Sequence, residues 1–255
     1  GRRASPAASR ARSTAAGRLP WRWQWAPLCY GRHPGPGRVE SQDVSRPENI
    51  AIIGAPGSGK SYALRALLRA DPRVIYIDPM DSARARGGSG DNEDWTHVAR
   101  RLETVEAIVR RGGRFRLSFG VGEMGDEERR QAVDRVFALA MREQRRGAWT
   151  TVAVDEIGIV CPRGQELPEL VKALRLGRHR SVRTCVASQR AVDMPPTWRA
   201  LCEDLMVFSQ YERIDLDRLD TIQRGLGVKC AELERHWFYR WHAGRLEGPC
   251  PPVTR

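Results

Sequence analysis

Residues Ala51–Ser61 read AIIGAPGSGKS, and within them Gly54, Gly59, Lys60 and Ser61 satisfy G-x-x-x-x-G-K-[ST]. The four residues between, Ala55, Pro56, Gly57 and Ser58, are small or turn-forming. A chain that surrounds a phosphate with backbone N–H groups must bend tightly, and glycine allows angles and close approaches that a side chain obstructs. Lys60 supplies a point charge for the outer phosphates, and the Ser61 hydroxyl is of the right type to reach Mg²⁺. The flanks agree with this reading. Asn49 is the last polar residue before the apolar run Ile50–Ile53, and beyond Tyr62 the spacing of Leu64, Leu67 and Leu68 is that of a buried helix face. A helix N-terminus aimed at the loop adds N–H groups and a dipole for an anion. The predicted nucleotide cradle therefore runs from Gly54 through Tyr62. A mere Gly/Ser-rich connector has no need of the lysine and serine.

A second anchor is WTTVAVDEI, Trp149–Ile157. A buried strand here delivers Asp155 and Glu156 at its carboxyl end, where ligands bind in open α/β sheets. Asp155 is expected to hold the Mg²⁺ shell together with Ser61, and Glu156, one residue on, to face the water that attacks the γ-phosphate. An acidic pair after apolar residues is a weak signal by itself and gains its weight from the phosphate loop. In CVASQR, Cys185–Arg190, a strand over Val182–Ala187 places Ser188 and Gln189 on the same sheet edge as Asp155. An amide there can sense a γ-phosphate or align water; without the acidic strand it reads as a turn residue.

The other periodicities build a βαβ series. Strands are predicted at Val74–Ile77, Phe115–Phe119, Leu205–Phe208 and Trp237–Trp241, with two of them between Lys60 and the acidic pair. Helices are predicted over Trp95–Arg110, Asp126–Arg145, Leu167–Leu176 and around Leu216–Ile222, the last ended by Gly225 and Gly227, with another starting at Pro195–Thr197. The fold class is α/β: a P-loop NTPase with a mostly parallel central sheet flanked by helices. Residues 48–245 are the expected ATPase domain. Residues 1–47, rich in Arg, Ala, Ser, Pro and Gly, are expected to be disordered, and 246–255 to form a flexible tail. The alternating patch LPWRWQWAPLCY in the first segment reads as an unstructured stretch or as a docking element.

Of the formal charge of +12, half sits in residues 1–50, where nine arginines face three acids. The excess in the remaining chain suits a nucleic-acid partner, although charge alone does not separate polyanion binding from solubility. Six cysteines, Cys29, Cys161, Cys185, Cys202, Cys230 and Cys250, form no C-x-x-C pair, which argues against a zinc site or a disulfide framework and for a reducing compartment. No apolar run approaches the roughly 20 residues that cross a bilayer; attachment to a membrane would require a partner.

From about Ile50 to Trp241 the chain resembles the FtsK/HerA group of P-loop ATPases, and within it the compact genome-packaging ATPases of tailless, membrane-containing viruses. The likeness rests on GAPGSGKS, VIYIDP, TTVAVDE, and LGRHRSVRTCVASQRAVDMPP with the downstream LMVFSQ. It implies a RecA/FtsK-like domain that uses ATP and Mg²⁺ as a homohexameric ring to drive double-stranded DNA through its centre. It further implies a site of action in the host cytoplasm and at the virion, on a capsid vertex or a membrane-associated partner. On this analogy Gln189 is the sensor. Arg178, or after it Arg180, is the finger donated by a neighbouring subunit, in a segment that also holds Arg175 and Arg183 and is expected near the ligand edge of the sheet. Two other classes share the loop: a nucleotide-gated assembly or secretion ATPase, and a small-molecule kinase. For the kinase, the loop Met80–Asp94 makes a poor lid, because its acids outnumber Arg84 and Arg86.

Overall fold

In the computed structural model of the protein, residues 48–85, 95–143, 148–162, 166–194 and 196–253 are described; all fall in one unit, Arg46–Arg255. The apolar run Ile50–Ile53 forms β1, buried at every residue. It pairs in parallel with β6 (Val182–Ser188) on one side and β7 (Asp204–Phe208) on the other. A strand enclosed on both edges and both faces has no solvated side, which is why its sequence does not alternate with polar residues. The alternation is hidden in its packing: Ile50 and Ile52 join Leu64, Tyr76 and Phe208 on one face, while Ala51 and Ile53 join Ile75, Val136, Phe137 and Leu170 on the other.

The sheet has nine strands in the order β3-β4-β2-β5-β6-β1-β7-β8-β9. From β3 to β7 all neighbours are parallel, through β2 (Arg73–Asp78), β3 (His97–Ala99), β4 (Phe115–Gly120) and β5 (Thr150–Val154). Two antiparallel strands, β8 (Phe238–His242) and β9 (Arg245–Cys250), extend it beyond β7. The described helices are α1 (Lys60–Leu67), α2 (Ser82–Ala85), α3 (Leu102–Arg111), α4 (Asp126–Arg142), α5 (Ile157–Val160), α6 (Pro168–Leu176), α7 (Pro196–Leu201), α8 (Arg213–Asp220) and α9 (Leu226–Ala231). No helix among the described residues is long and apolar enough to cross a membrane.

The predicted α/β class and mostly parallel sheet are present, with four local corrections. The helix expected over Trp95–Arg110 is a strand followed by a helix. Trp95 stacks on Tyr76 with ring centroids 4.7 Å apart, and β3 then adds to the edge of β4, so three strands instead of two lie between Lys60 and the strand that delivers the acidic pair. Val98, in β3, is 49% exposed. Gly225 and Gly227 do not end α8. Gly225 takes φ 80° at the N-cap of α9, and Gly227 lies inside α9, where a methyl group would stand 2.5 Å from the Leu216 carbonyl oxygen; its missing side chain lets α8 and α9 touch. Within the stretch assigned to a C-terminal tail, β9 pairs with β8 through Cys250. Residues 1–47, with the tryptophan patch, and 86–94 of the loop bearing Arg86 lie outside the described residues.

Asn49 fixes the entry of β1. Its side-chain amide donates to the carbonyls of Leu174 (3.0 Å) and Leu201 (3.2 Å), its Oδ1 accepts from Thr184 N (3.2 Å), and its own N–H donates to Glu203 Oε2 (2.8 Å). The residue is buried, so truncation strands two carbonyls and an amide away from water. Asn49→Ala is therefore expected to lose about 2 to 4 kcal/mol of stability. Urea denaturation checks this; a midpoint unchanged at equal slope would show that the surrounding groups find other partners.

Candidate nucleotide site

The loop after β1 is held by the strands on either side. Gly54 N–H donates to the Ser188 carbonyl at the end of β6 (3.2 Å), and Ala55 N–H to the Ser209 carbonyl just past β7 (2.8 Å). At Gly54 a methyl group would stand 2.5 Å from Phe208 Cβ and 2.6 Å from Ser58 Oγ, so only glycine fits this bend. Gly57 and Gly59 take φ of 72° and 102°, the left-handed region that glycine enters without penalty. Pro56 and Gly57 form the exposed crest, Ser61 and Tyr62 are half-buried in the first turn of α1, and Lys60 turns inward. The Lys60 ammonium donates to the Ala55 carbonyl across the loop (3.2 Å). Burial pulls its pKa down, and the nearby carboxylates of Glu156 and Asp155 oppose that shift. Ser58 Oγ is buried without a hydrogen-bond partner.

Asp155 follows the last residue of β5. Its Oδ2 accepts a 2.6 Å hydrogen bond from the Tyr76 hydroxyl on the neighbouring β2, and its Oδ1 is buried with no hydrogen-bond partner. Burial and the Asp155 charge push the Tyr76 hydroxyl pKa well up, so tyrosine stays a donor and fixes one oxygen while the other is left available. A buried carboxylate oxygen lacking a partner fits a cation or its water shell. Glu156 takes φ 58° and ψ 62°, a left-handed conformation uncommon outside glycine. Its Oε1 accepts from Gln189 N–H (2.8 Å), and the Gln189 side chain adds a second hydrogen bond. Burial raises the Glu156 pKa; the bonds from Gln189 and the charge of Lys60 pull against that rise.

The structure thus gathers Lys60, Asp155, Glu156 and Gln189 at the carboxyl ends of β1, β5 and β6. Three further contributors were missed in the sequence. Tyr76 looked like one apolar residue of a buried strand. Phe208 supplies the wall against Gly54 and Gly59. Gln210, buried, donates from Nε2 to the Gln189 carbonyl (2.8 Å). The last had a signal: Ser209-Gln210 after β7 repeats the Ser188-Gln189 at the end of β6.

Arg178 and Arg180 do not lie near the ligand edge. They occupy a 3-10 turn, Gly177–Arg180, that precedes β6, at the opposite edge from Gln189 and separated from it by the strand, roughly 20 Å long. A segment that enters a parallel strand must sit at its amino end; the position was misjudged by reading sequence proximity to Gln189 as spatial proximity. Arg178 pairs there with Glu203 at 2.9 Å, while Arg180 and Arg175 are exposed. Arg183 is buried against Asp71 at 3.0 Å, a structural pair. The same edge holds Glu48, Asp204 and His242 within reach of one another, but Asp204 is already forked by Arg240 at 2.7 and 2.9 Å.

The upward shift at Glu156 has a sign that can be tested without turnover. The folded chain binds this proton more tightly than the unfolded chain. The resulting stabilisation is full below the unfolded value of about 4.3 and is lost as pH rises through the folded pKa. Ionised Glu156 therefore strains the fold at neutral pH. Glu156→Gln, which keeps an acceptor for Gln189 N–H, is expected to melt at or above the temperature of the unaltered protein at pH 7, with the difference shrinking toward pH 4. A lower melting temperature at pH 7 would contradict this electrostatic account.

The FtsK/SpoIIIE family profile matches residues 13–70, the stretch that ends just past the phosphate loop. No curated protein sequence matches the chain. Among solved structures, the genome packaging NTPase B204 from Sulfolobus turreted icosahedral virus 2 in complex with AMPPCP is similar at a TM-score of 0.65 and 16% identity, over 82% of this chain and 100% of that one. The DNA-packaging ATPase B204 from Sulfolobus Turreted Icosahedral Virus is similar at 0.63 and 20% identity, over 82% and 100%. VirB4 of Thermoanaerobacter pseudethanolicus follows at 0.53 and 14%, over 78% and 87%. At these identities the likeness is one of fold: the chain shares the α/β P-loop fold of these solved structures, and its match to the FtsK/SpoIIIE profile is confined to residues 13–70.

Proposed function

We propose that the protein is a Mg²⁺-dependent ATPase that moves double-stranded DNA as a homohexameric ring, in the service of packaging a viral genome. The observation that carries the hydrolytic part is Glu156: a buried carboxylate held by Gln189 beside the phosphate loop, with Lys60 and Asp155 close enough to act on its charge. With the Gly54 and Ala55 amides holding the loop to its neighbouring strands, the N–H groups of Gly57–Ser61 and the Lys60 ammonium bind the phosphates, Lys60 leaving the Ala55 carbonyl as it does so, and Tyr62 stands in the same first turn. Ser61 and Asp155 would hold Mg²⁺, which when bound neutralises charge on the phosphates. Glu156 takes a proton from the attacking water, and Gln189 orients that carboxylate and senses the γ-phosphate. Hydrolysis suits this arrangement better than transfer to a metabolite, since the base is aimed by a strand-end amide at the position an attacking water would take.

The DNA-moving part is supported by the likeness in fold, over 82% of this chain, to B204, described as a genome packaging NTPase and a DNA-packaging ATPase, and by the basic charge balance. The position of Arg178 and Arg180 supports donation across a subunit boundary: from the far edge neither can reach the phosphates of its own subunit. Such a protein would act in the host cytoplasm and at the virion, against a capsid vertex or membrane-associated partner.

Glu156→Gln should retain ATP binding and lose about 10²- to 10⁴-fold in turnover. Hydrolysis equal to that of the unaltered protein would remove Glu156 as the base. ATPase activity should rise with several unrelated duplexes, weaken with salt as fewer condensed ions are released, and drive displacement of a triplex-forming strand. Hydrolysis indifferent to DNA, with no displacement, would favour a nucleotide-gated assembly or secretion ATPase.

For the arginine, mixing Arg178→Ala subunits with Glu156→Gln subunits should restore activity that neither has alone, because a mixed ring contains intact sites. Absence of recovery in rings shown to be mixed would reject donation by Arg178, and full activity of Arg178→Ala alone would move the role to Arg180.

A further inference from the structure

The turn between α9 and β8 stands over the phosphate loop, and neither the sequence motifs nor the fold likeness assigns it a role. Its far end is anchored: Phe238, buried, packs on Phe208 with ring centroids 5.2 Å apart, and Phe208 is itself the wall behind Gly54 and Gly59. Trp237 N–H closes the turn on the Glu234 carbonyl at 3.1 Å. Between these points the chain reverses through His236 at φ 71°, a left-handed angle that carries a cost for any residue with a side chain, although histidine enters it more readily than most.

The result is that two basic-type side chains meet the loop. A methyl group at Gly59 would stand 3.2 Å from His236 Nδ1, and one at Gly57 would stand 4.0 Å from a terminal guanidinium nitrogen of Arg235. Arg235 is exposed, and among the described residues it has no ion-pair partner. Several other arginines close to the sheet ends are occupied: Arg178 by Glu203, Arg183 by Asp71, Arg190 by Asp215 and Arg240 by Asp204. An unpaired guanidinium beside the crest of a phosphate-binding loop meets the requirement for a charge-assisted, forked contact with phosphate oxygens.

We propose that Arg235, held over Gly57 by the strained turn at His236 and the Phe208–Phe238 contact, binds the phosphate chain of the nucleotide in its own subunit. This rests on the reading of the loop as a nucleotide site and adds a phosphate-binding residue to it from the antiparallel end of the sheet. Lys60 approaches from inside the loop and Arg235 from outside, so the phosphates would be charged from two directions. The occupancy of the site would thereby be felt by the turn that leads into β8, which Phe238 already ties to the loop through Phe208.

The test measures equilibrium binding of a non-hydrolysable ATP analogue, and of inorganic tripolyphosphate in competition with it, to the full chain and to Arg235→Ala, Arg235→Lys and Lys60→Ala. Arg235→Ala should raise the Kd of both ligands by about tenfold or more, with Arg235→Lys in between, at an unchanged melting temperature for the exposed substitution. Kd values equal to those of the unaltered protein, with Lys60→Ala impaired, would overturn the role of Arg235 and leave the nucleotide site standing. Weakening of the analogue but not of tripolyphosphate would also overturn it, since the contact would then lie on the nucleoside. Failure of the unaltered protein to bind the analogue at all would overturn the nucleotide site and this inference with it.

Discussion

Everything at the candidate site depends on one constraint: a loop that offers its N–H groups to a phosphate has few hydrogen bonds left to hold itself. Here the holding is done from outside. The first two amides past β1 are committed to Ser188 and Ser209, the ends of the two neighbouring strands, so the loop is suspended between β6 and β7 before any ligand arrives. That suspension requires β1 to be internal, its flanking strands to be parallel and their ends to be level. The parallel register of Ile53 with Ser188 on one side and Val207 on the other satisfies this. Gly54 is the point where the constraint is tightest, because the backbone passes so close to Phe208 that a single added carbon would collide with it.

Three charges are then brought together at that edge, largely out of water, which is unfavourable unless they answer one another. The carboxylates of Glu156 and Asp155 both favour the charged form of Lys60, and burial perturbs Lys60 and Glu156 in the directions that would neutralise them. The opposing hydrogen bonds show where the fold resists neutralisation: Tyr76 fixes one oxygen of Asp155, and Gln189 fixes Glu156 and is itself fixed by Gln210. The left-handed backbone of Glu156 belongs to the same arrangement. Tolerating an awkward backbone angle and a poorly solvated carboxylate is what a preorganised site looks like when stability and function pull apart.

The parts legible in sequence were those set by local chemistry. The glycine spacing gave the loop, the apolar runs gave the internal strands, and the Asp155-Glu156 and Ser188-Gln189 pairs at strand ends gave the far side of the site, because in a parallel sheet a strand's carboxyl end determines where its next residues go. What was not legible depended on partners distant in the chain. Nothing near Tyr76 says that its hydroxyl meets a carboxylate 79 positions later. Trp95–Ala99 was misread because the pull of a sheet edge and of the Tyr76 ring outweighed a helical spacing that began one turn too early. The arginines near Gln189 were misplaced by the same confusion of order with distance: a strand puts its two ends at opposite edges, however short the segment looks on paper.

Beyond the site, the bonds at the end of β6 continue into the helical layer. Ser188 Oγ accepts from Arg190 N–H and donates to the Arg190 carbonyl, so the chain folds back immediately after Gln189. Arg190 then reaches Asp215 at 3.2 Å, and the same carboxylate accepts the Val192 N–H at 3.1 Å. Asp215 is buried in α8 at 1% exposure, and α8 in turn packs on α9, whose following turn stands against Gly57 and Gly59. The contacts therefore close a circuit: from the loop to β6, from β6 through Asp215 to α8, through Gly227 to α9, and back to the loop. Because Asp215 is buried and bonded on both oxygens, separating α8 from the strand end would leave a carboxylate unpaired out of water. The two are thus constrained to move together when Gln189 moves, and the smallness of Gly227 is what lets the far half of the circuit close.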